Sequence, residues 1–507
     1  MAIPNVSSTS APNVTTAPAT SNKVALTVVT TLFFMWGFIT VLNDVLVPHL
    51  KSIFDLSYAK VMLIQFAFFT AYFIFALPWA KVVDKVGYKM TMVLGLLTMG
   101  VGAFLFIPAA SVPSYPLFLG ALMVLAGGMT ALQVAANPYV AVLGPSDKAS
   151  SRLNLAQAFN SLGTTLGPYL GGILILTAAP MAMEAVRKLS AEARQVYSVH
   201  EAASVKLPYT VIGLVLIAMA ISIAMFKLPA MPGVEKHGKL QGESVWKHRH
   251  LILGTIGIFV YVGAEVSIGS FLINYLSQSD IGNISELQAS KFVSIYWGSA
   301  MLGRFIGSAL LNGMKTVYAA ICTAIAGVLL VCSFLASGIV STGDSKLSGF
   351  ITSVASLLVY TRPLLMLSTG LLFLLLMVST LKGGHVRMDT GRMLGAAGVC
   401  AAGLVCTSML TTGHFAMWSI ILVGFFNSIM FPSIFTLGIS ELGPLTGDGS
   451  GLLIMAIVGG ALIPLTQGWM ADRVGVHHAF ILPAICYLYI VYYAFKGSKP
   501  QPFVAEA

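Results

Sequence analysis

The stretch Val24–Val41, VALTVVTTLFFMWGFITV, decides the class of fold because none of its 18 residues carries a charge. As an α-helix it would be about 27 Å long, close to the thickness of a bilayer's hydrocarbon core. Similar runs recur at Leu207–Phe226 and Leu364–Thr380. Only 9% of the 507 residues are charged and 57% are hydrophobic, whereas a soluble domain has about 25% charged residues. The chain is therefore predicted to be an all-α integral membrane protein.

The apolar runs predict about fourteen membrane helices, separated by short polar stretches. They span residues 24–49, 58–81, 89–109, 114–143, 152–178, 207–228, 250–277, 289–312, 316–338, 348–381, 391–411, 413–440, 450–471 and 478–496. The domain boundaries expected from them are a disordered tail at 1–22, an N-terminal helix bundle at 23–228, a linker at 229–250, a C-terminal bundle at 251–497 and a short tail at 498–507.

The lysines and arginines between the helices predict the orientation. Lys81, Lys85 and Lys89 follow the second helix, and Lys148 follows the fourth. Basic loops stay on the cytoplasmic side, so both termini and the linker are expected there. These loops explain the net charge of +10, and no nucleic-acid partner is expected. The outside loop at 178–206 has a helical pattern, which fits a helix lying on the bilayer or a lid over a binding site.

Two parts of the chain share an ordered set of amides, glycines and prolines. Gln133 precedes Pro138 by five residues and Asn427 precedes Pro432 by five, and Leu-Gly-Pro follows in both cases. The segment 163–168 then matches 459–464. This order predicts two parallel halves related by a repeat.

Two carboxyl groups lie inside predicted membrane helices, Asp44 in the first and Glu265 in the seventh. A charged side chain at the bilayer centre costs about 3 kcal/mol, so each requires a reason. Each is either a proton-coupling group or a buried carboxyl that is protonated or hydrogen-bonded across helices. Asn274 lies nine residues after Glu265, on the opposite face of an ideal helix. We favour Glu265 as the one that faces a cavity.

A polar stripe on the first helix predicts a wall of a sugar site. Its members share one helical face and are Trp36, Thr40, Asn43 and Asp44. An aromatic ring stacks on the C–H face of a pyranose, while amides and carboxylates bond its hydroxyls.

Amide side chains recur at helical spacing on the fourth and fifth helices: Gln133, Asn137, Asn154, Gln157 and Asn160. They line a cavity, or they form interhelical hydrogen bonds worth about 0.6 kcal/mol each. In the C-terminal half only Asn427 keeps a matching amide. Most ligand bonds are therefore expected from the N-terminal half.

Two charged positions predict a conformational latch. The run Asp84-Lys85-Val86-Gly87-Tyr88-Lys89 after the second helix is similar to the major facilitator loop motif. In that motif the acid caps and pairs near helix ends, which would hold one conformation. Arg304, near the end of the eighth helix, is expected to serve the matching latch in the other half.

Three longer segments resemble the fucose/glucose/galactose:proton symporters of the major facilitator type. They are Leu42–His49 (LNDVLVPH), Leu132–Pro138 (LQVAANP) and Arg152–Ser161 (RLNLAQAFNS). The resemblance implies a twelve-helix core and sugar–proton symport in a bacterial inner membrane. It also implies proton coupling at Asp44 and sugar contacts at Trp36, Gln157 and Asn160.

The chain departs from that family's pattern at two places. Gln133 stands where the fucose permease has a second acid, and with Glu265 and Asn427 it is similar to the glucose/galactose branch. The stretch 339–411 adds two helices, and the run at 391–411 fits the family's ninth helix better than 316–338.

Other functions are disfavoured by the motifs that the sequence lacks. It has no HExxH, no GxSxG and no paired histidines, which argues against a membrane-embedded enzyme, and no cofactor is expected. The five cysteines have no CxxC or metal spacing, so no metal is expected. We predict a monomeric proton-coupled importer of a hexose. Sodium coupling and a non-transporting sugar sensor remain the alternatives, and glucose, galactose and N-acetylglucosamine all fit.

Overall fold

A computed structural model gives the architecture of most of the chain. It describes residues 19–54, 58–112, 114–175, 205–229, 244–284, 286–342, 361–381 and 385–500, with short pieces between 189 and 203 and between 355 and 359. The expected tail 1–18, most of the outside loop 178–206, most of the linker and the segment 343–354 lie outside the described residues. So do the side chains of 41–53 within the first helix.

The described residues are almost entirely helical, as predicted. The first half contains α1 (Ala19–Phe54), α2 (Tyr58–Ser111), α3 (Tyr115–Val142), α4 (Ala149–Ile175) and α5 (Lys206–Met225). There follow α6 (Arg249–Leu276), α7 (Glu286–Asn312), α8 (Thr316–Thr342), α9 (Arg362–Leu381) and α10 (Thr390–Leu410). The chain ends with α11 (Gly413–Asn427), α12 (Met430–Gly438), α13 (Thr446–Met455), α14 (Gly459–Ala479) and α15 (Ile481–Tyr492).

Nine helical stretches within the described residues are long and apolar enough to cross a membrane. The longest, Leu63–Ser111, has 49 residues, which at about 1.5 Å per residue is more than twice the hydrocarbon thickness. This length corresponds to two spans, and the non-helical backbone of Gly87 (φ 79°, ψ 168°) separates them between the two helices predicted at 58–81 and 89–109. The count of fourteen membrane helices remains a prediction.

The same four-residue pattern marks a second break. Asp84-Lys85-Val86-Gly87 in α2 is matched by Asp472-Arg473-Val474-Gly475 in α14, where Gly475 has φ 82° and ψ 155°. Glycine adopts this positive φ without the steric penalty that a Cβ brings. The chain therefore turns sharply at both glycines while its flanking residues stay helical.

Two prolines of the repeat interrupt hydrogen bonding inside their helices. A proline has no N–H, so the carbonyl four residues earlier loses its helical partner. Pro138 thereby frees the Val134 carbonyl, which accepts a bond from Ser450 Oγ at 2.9 Å. Pro432 frees the Ser428 carbonyl in the same way. The predicted helix 413–440 is in fact divided there into α11 and α12.

The helices α8 and α9 pack mainly on each other, whereas α10 packs on α11, α12 and α15. A two-stranded antiparallel ribbon closes the base of the α8–α9 pair, joining β1 (Met314–Lys315) to β2 (His385–Val386). This ribbon of two residue pairs is the only strand pairing among the described residues, and the fold class remains all-α as predicted. The Leu310 carbonyl accepts from both Gly313 N and Met388 N at 3.3 Å, which holds the ends of the segment together.

The two halves meet where α4 packs on α7 and where α2 packs on α13. Ser151 Oγ donates to the Ser308 carbonyl at 2.7 Å, and Ser308 Oγ donates to the Ser151 carbonyl at 2.9 Å. Ser150 bonds Thr436 beside them. We call this set of hydroxyl bonds the basal contact. It closes the end of the molecule at which α4 begins and α7 ends.

Candidate functional site

The structure describes only part of the polar stripe on α1 that was predicted to line a sugar site. The Trp36 ring is buried and lies 4.1 Å from the Phe33 ring, centroid to centroid. The Thr40 hydroxyl donates to the Trp36 carbonyl at 2.7 Å, so this donor is used inside the helix. Asn43 and Asp44 belong to α1, and their side chains lie outside the description. Their predicted roles remain predictions.

The amides of α3 and α4 converge between the two helices. Gln157 Nε2 lies 3.5 Å from Asn137 Oδ1, a long and therefore weak hydrogen bond. Both side chains are buried, and Asn137 Nδ2 has no partner in the described structure. An unpaired buried donor costs about 1–3 kcal/mol, so Asn137 Nδ2 is available to donate a hydrogen bond to the oxygen of an added ligand.

Three further amides are engaged locally. Gln133 Nε2 donates to Tyr72 Oη at 3.0 Å, which holds Gln133 against the α2 wall. Asn160 Nδ2 donates to the Phe33 carbonyl at 3.0 Å, which ties α4 to α1. Asn154 Nδ2 donates to the Ser150 carbonyl of its own helix at 2.8 Å. Asn160 and Gln133 thus border the pair formed by Asn137 and Gln157. The Asn154 side chain instead makes a hydrogen bond within its own helix.

The C-terminal half carries a polar cluster that the sequence reasoning foresaw only at Glu265 and Asn427. Asn427 Nδ2 donates to Tyr296 Oη at 2.9 Å, and Tyr296 Oη donates to the Glu265 carbonyl at 3.2 Å. Tyr261 Oη donates to the Asn427 carbonyl at 3.1 Å. Asn427 is 0% exposed, and its Oδ1 has no partner within the described residues.

Glu265 is the only carboxylate in this cluster among the described residues. It is 9% exposed, and its Oε1 has no hydrogen-bond partner there. The helix α6 is unbroken, and Asn274 is exposed on its other face. Glu265 is therefore buried while Asn274 is exposed, and the expectation that Glu265 faces a cavity remains a prediction. The tyrosines were missed because a tyrosine in an apolar helix reads as a packing residue.

Arg304 connects the two groups of polar residues. Its Nη1 donates to Ser161 Oγ and to the Gln157 carbonyl at 3.4 Å, both on α4. Its Nε donates to the Ser428 carbonyl at 3.1 Å, the acceptor that Pro432 leaves free. Arg304 also interacts electrostatically with Glu265. Arg304 thus joins the halves beside the amides, two turns before the end of α7, and is not at the helix end as expected.

The predicted latch on α2 is placed at a helix terminus. A Cβ built on Gly447 would lie 3.1 Å from Asp84 Oδ1, and Gly447 is in the first turn of α13. Helix N-termini favour negative charge, so Asp84 is well placed to hold α2 against α13. Lys85 is exposed. No metal-binding group of three or more His, Cys, Asp or Glu occurs in the searched, described residues.

Comparison with known proteins decides the family. The Major Facilitator Superfamily sequence profile matches residues 26–380. The chain belongs to the Major Facilitator Superfamily. It is 44% identical over 477 residues to a glucose/galactose transporter of Brucella abortus, with 94% of both chains covered. It is 28% identical to the L-fucose-proton symporter of Escherichia coli, with 91% of this chain and 90% of that one covered.

The solved structures agree with this assignment. The crystal structure of the superfamily transporter FucP in the outward conformation superimposes with a TM-score of 0.74 at 28% identity, covering 94% of this chain and 98% of that one. The predicted resemblance to the fucose/glucose/galactose:proton symporters is confirmed. The relative named for glucose and galactose is closer in sequence than the one named for fucose, as Gln133 indicated.

Proposed function

We propose that this protein imports a hexose, glucose or galactose or N-acetylglucosamine, by proton symport through alternating access. The observation that carries the proposal is the buried polar layer between the halves, where Gln157, Asn137, Arg304, Glu265 and Asn427 meet. Polar groups at this depth are costly unless they serve a ligand or an ion pathway. The relatives' names supply the substrate class.

The N-terminal half is proposed to bind the sugar and Asp44 to carry the proton. Trp36, Asn43, Gln133, Asn137, Gln157 and Asn160 are the proposed sugar contacts, with Asn427 facing them from the other half. Glu265 is proposed as a second carboxyl that responds to the proton. The fucose permease has its second acid in the N-terminal half, at the position that Gln133 occupies here. In this chain the second carboxyl would come from the C-terminal half instead.

The conformation described is proposed to be outward-facing. Three observations support it: the basal contact between Ser151 and Ser308, the ion pair of 2.9 Å between Arg387 and Asp147, and the likeness to an outward-conformation structure. Reorientation then requires these contacts to break together with those of Arg304. We propose a monomer in a bacterial inner membrane with both termini cytoplasmic, an orientation that the positively charged loops support.

The helices α8 and α9 are proposed to be an insertion into a twelve-helix core, with α10 as the ninth helix of that core. The packing of α10 on α11, α12 and α15 supports this assignment.

The function is tested in proteoliposomes. One cation moving inward gains about 2.3 kcal/mol per 100 mV, enough at 1.4 kcal/mol per decade for a roughly fortyfold sugar gradient. Glucose, galactose or N-acetylglucosamine added to de-energised vesicles in sodium-free buffer should make the medium more alkaline. Asp44→Asn should bind sugar and lose uphill accumulation.

Three results would contradict the proposal. Uptake that appears only when sodium is added would assign the coupling to sodium. Sugar binding without any uptake would indicate a sensor. Uphill accumulation at the wild-type rate by Asp44→Asn would exclude Asp44 as the coupling group.

A further inference from the structure

A cleft opens on the outer wall of the N-terminal half, between the two arms of α2 and the helix α3. Its volume is about 320 Å³, and it lies apart from the polar layer described above. Its lining consists of Phe75, Pro78, Trp79, Val82, Thr98, Val124 and Gly127. The fold leaves this space open in a wall that faces lipid.

The two polar side chains of the lining already use their hydrogens. Trp79 Nε1 donates to the Gly127 carbonyl at 2.9 Å, and Thr98 Oγ1 donates to the Leu94 carbonyl at 2.8 Å. A trapped water needs two to four polar partners, and this wall has no free donor to offer. The cleft therefore suits an apolar occupant. Its volume corresponds to about ten water-sized units of about 30 Å³ each, which suits a length of hydrocarbon chain.

Beyond the cleft, the same face of α2 carries basic side chains. Phe75, Pro78 and Val82 are three and four residues apart and share one helical face, and Lys85 follows Val82 by three residues on that face. Ten residues separate Phe75 from Lys85, a rise of about 15 Å. Lys81 and Lys85 are exposed.

The carboxylate of Asp84 lies beside another helix. Asp84 is directed at the first turn of α13, where Gly447 lies. Basic pockets at the ends of membrane helices attract anionic lipid head groups. An apolar cleft with two exposed lysines beside it on the same helix thus matches an amphiphile with an anionic head.

We propose that this cleft binds one acyl chain of an anionic phospholipid, with the phosphate at Lys81 and Lys85. The site lies apart from the proposed sugar contacts. The lipid would brace the two arms of α2 against α3 beside the break at Gly87, from the lipid side of the protein.

Native mass spectrometry of the delipidated, full-length protein tests the proposal. Phosphatidylglycerol and phosphatidylethanolamine with identical acyl chains are titrated separately, and adduct occupancy is compared. Phosphatidylglycerol should bind more tightly to the wild type. The double substitution Lys81→Gln and Lys85→Gln should weaken it about thirtyfold, because each basic residue near the surface contributes about fivefold. Lys247→Gln, at another exposed lysine, is the control.

A second variant tests the cleft itself. Val124→Phe fills it and should remove the bound adduct of both lipids, whereas Val211→Phe, at a 45% exposed valine on α5, should not. Wild-type occupancy in Val124→Phe would overturn the proposal. Equal binding of the two lipids by the wild type, or no change on removing the lysines, would overturn it as well. The lysine variants lie on the surface, so the test stands if Val124→Phe fails to fold.

Discussion

Arg304→Lys should shift the protein from the basally closed conformation towards the open one. Lysine keeps the positive charge near Glu265, but it lacks the planar fork with which arginine reaches several acceptors at once. Two of the bonds of Arg304 cross between the halves, to Ser161 Oγ and to the Gln157 carbonyl at 3.4 Å. The third, to the Ser428 carbonyl at 3.1 Å, stays within the C-terminal half.

The size of the conformational shift can be worked out from the two hydrogen bonds of Arg304 that join the halves. A hydrogen bond to a charged group contributes about 1.5–3 kcal/mol, and the bond at 3.4 Å is at the weak end. A loss of about 2 kcal/mol in total corresponds to about a thirtyfold change in the ratio of closed to open. Ser161→Ala removes one acceptor and leaves the charge, so it should give about a fivefold change.

Distances between spin labels measure this ratio directly. Cysteines replace Lys148 and Lys315, which flank the basal contact, in a background without native cysteines, and electron double resonance is recorded in nanodiscs. Arg304→Lys should populate a longer distance than the unsubstituted protein does. Arg249→Gln, an exposed arginine that bonds only Tyr492 among the interactions described, is the control. Unchanged distances in both Arg304→Lys and Ser161→Ala would refute the reasoning.

Three further predictions concern binding, stability and the inserted pair. Gln157→Ala should weaken sugar binding by calorimetry about 2–10-fold, at about 0.5–1.5 kcal/mol per bond. Asn427→Ala should cost less because its amide already bonds Tyr296, and an equal or larger cost would contradict this. Arg152→Lys should lower the thermal unfolding midpoint, since its guanidinium donates to four carbonyls at the end of α3; an unchanged midpoint would argue against that role. Deleting 314–386 should leave a folded transporter by size-exclusion chromatography and uptake, and an aggregated product would show that the pair supports the core.

The sequence predicted the helices well because hydropathy and helical period are local properties. It also predicted which face of the seventh helix is buried, since Glu265 and Asn274 lie on opposite sides of an unbroken helix. The break within the predicted helix 413–440 was missed. Pro432 gives no break by itself, because Pro138 lies inside the continuous helix α3.

The sequence drew attention to the amides of α3 and α4 and to Glu265, which the structure buries, while the roles proposed for them and for Asp44 stay predictions. Gln157 and Asn137 were expected together, and the structure brings them to 3.5 Å. Tyr296 was missed, because its role depends on a neighbour more than a hundred residues away. Gln467 was also missed; it is 0% exposed, and both of its amide atoms lack partners among the described residues.

The two prolines that free a carbonyl also determine which substitutions this interface tolerates. The acceptors for Ser450 and Arg304 belong to the backbone at 134 and 428, so no new side chain at those positions deletes them. Any residue other than proline at 138 or 432 brings back an N–H that competes for the carbonyl within the helix. Variation can therefore accumulate at the residues that accept the bonds, while the positions four residues later are constrained to proline. In saturation mutagenesis of the two repeats, positions 138 and 432 should therefore be more sensitive to substitution than positions 134 and 428. The sensitive positions lie one helical turn after the residues whose carbonyls make the contacts.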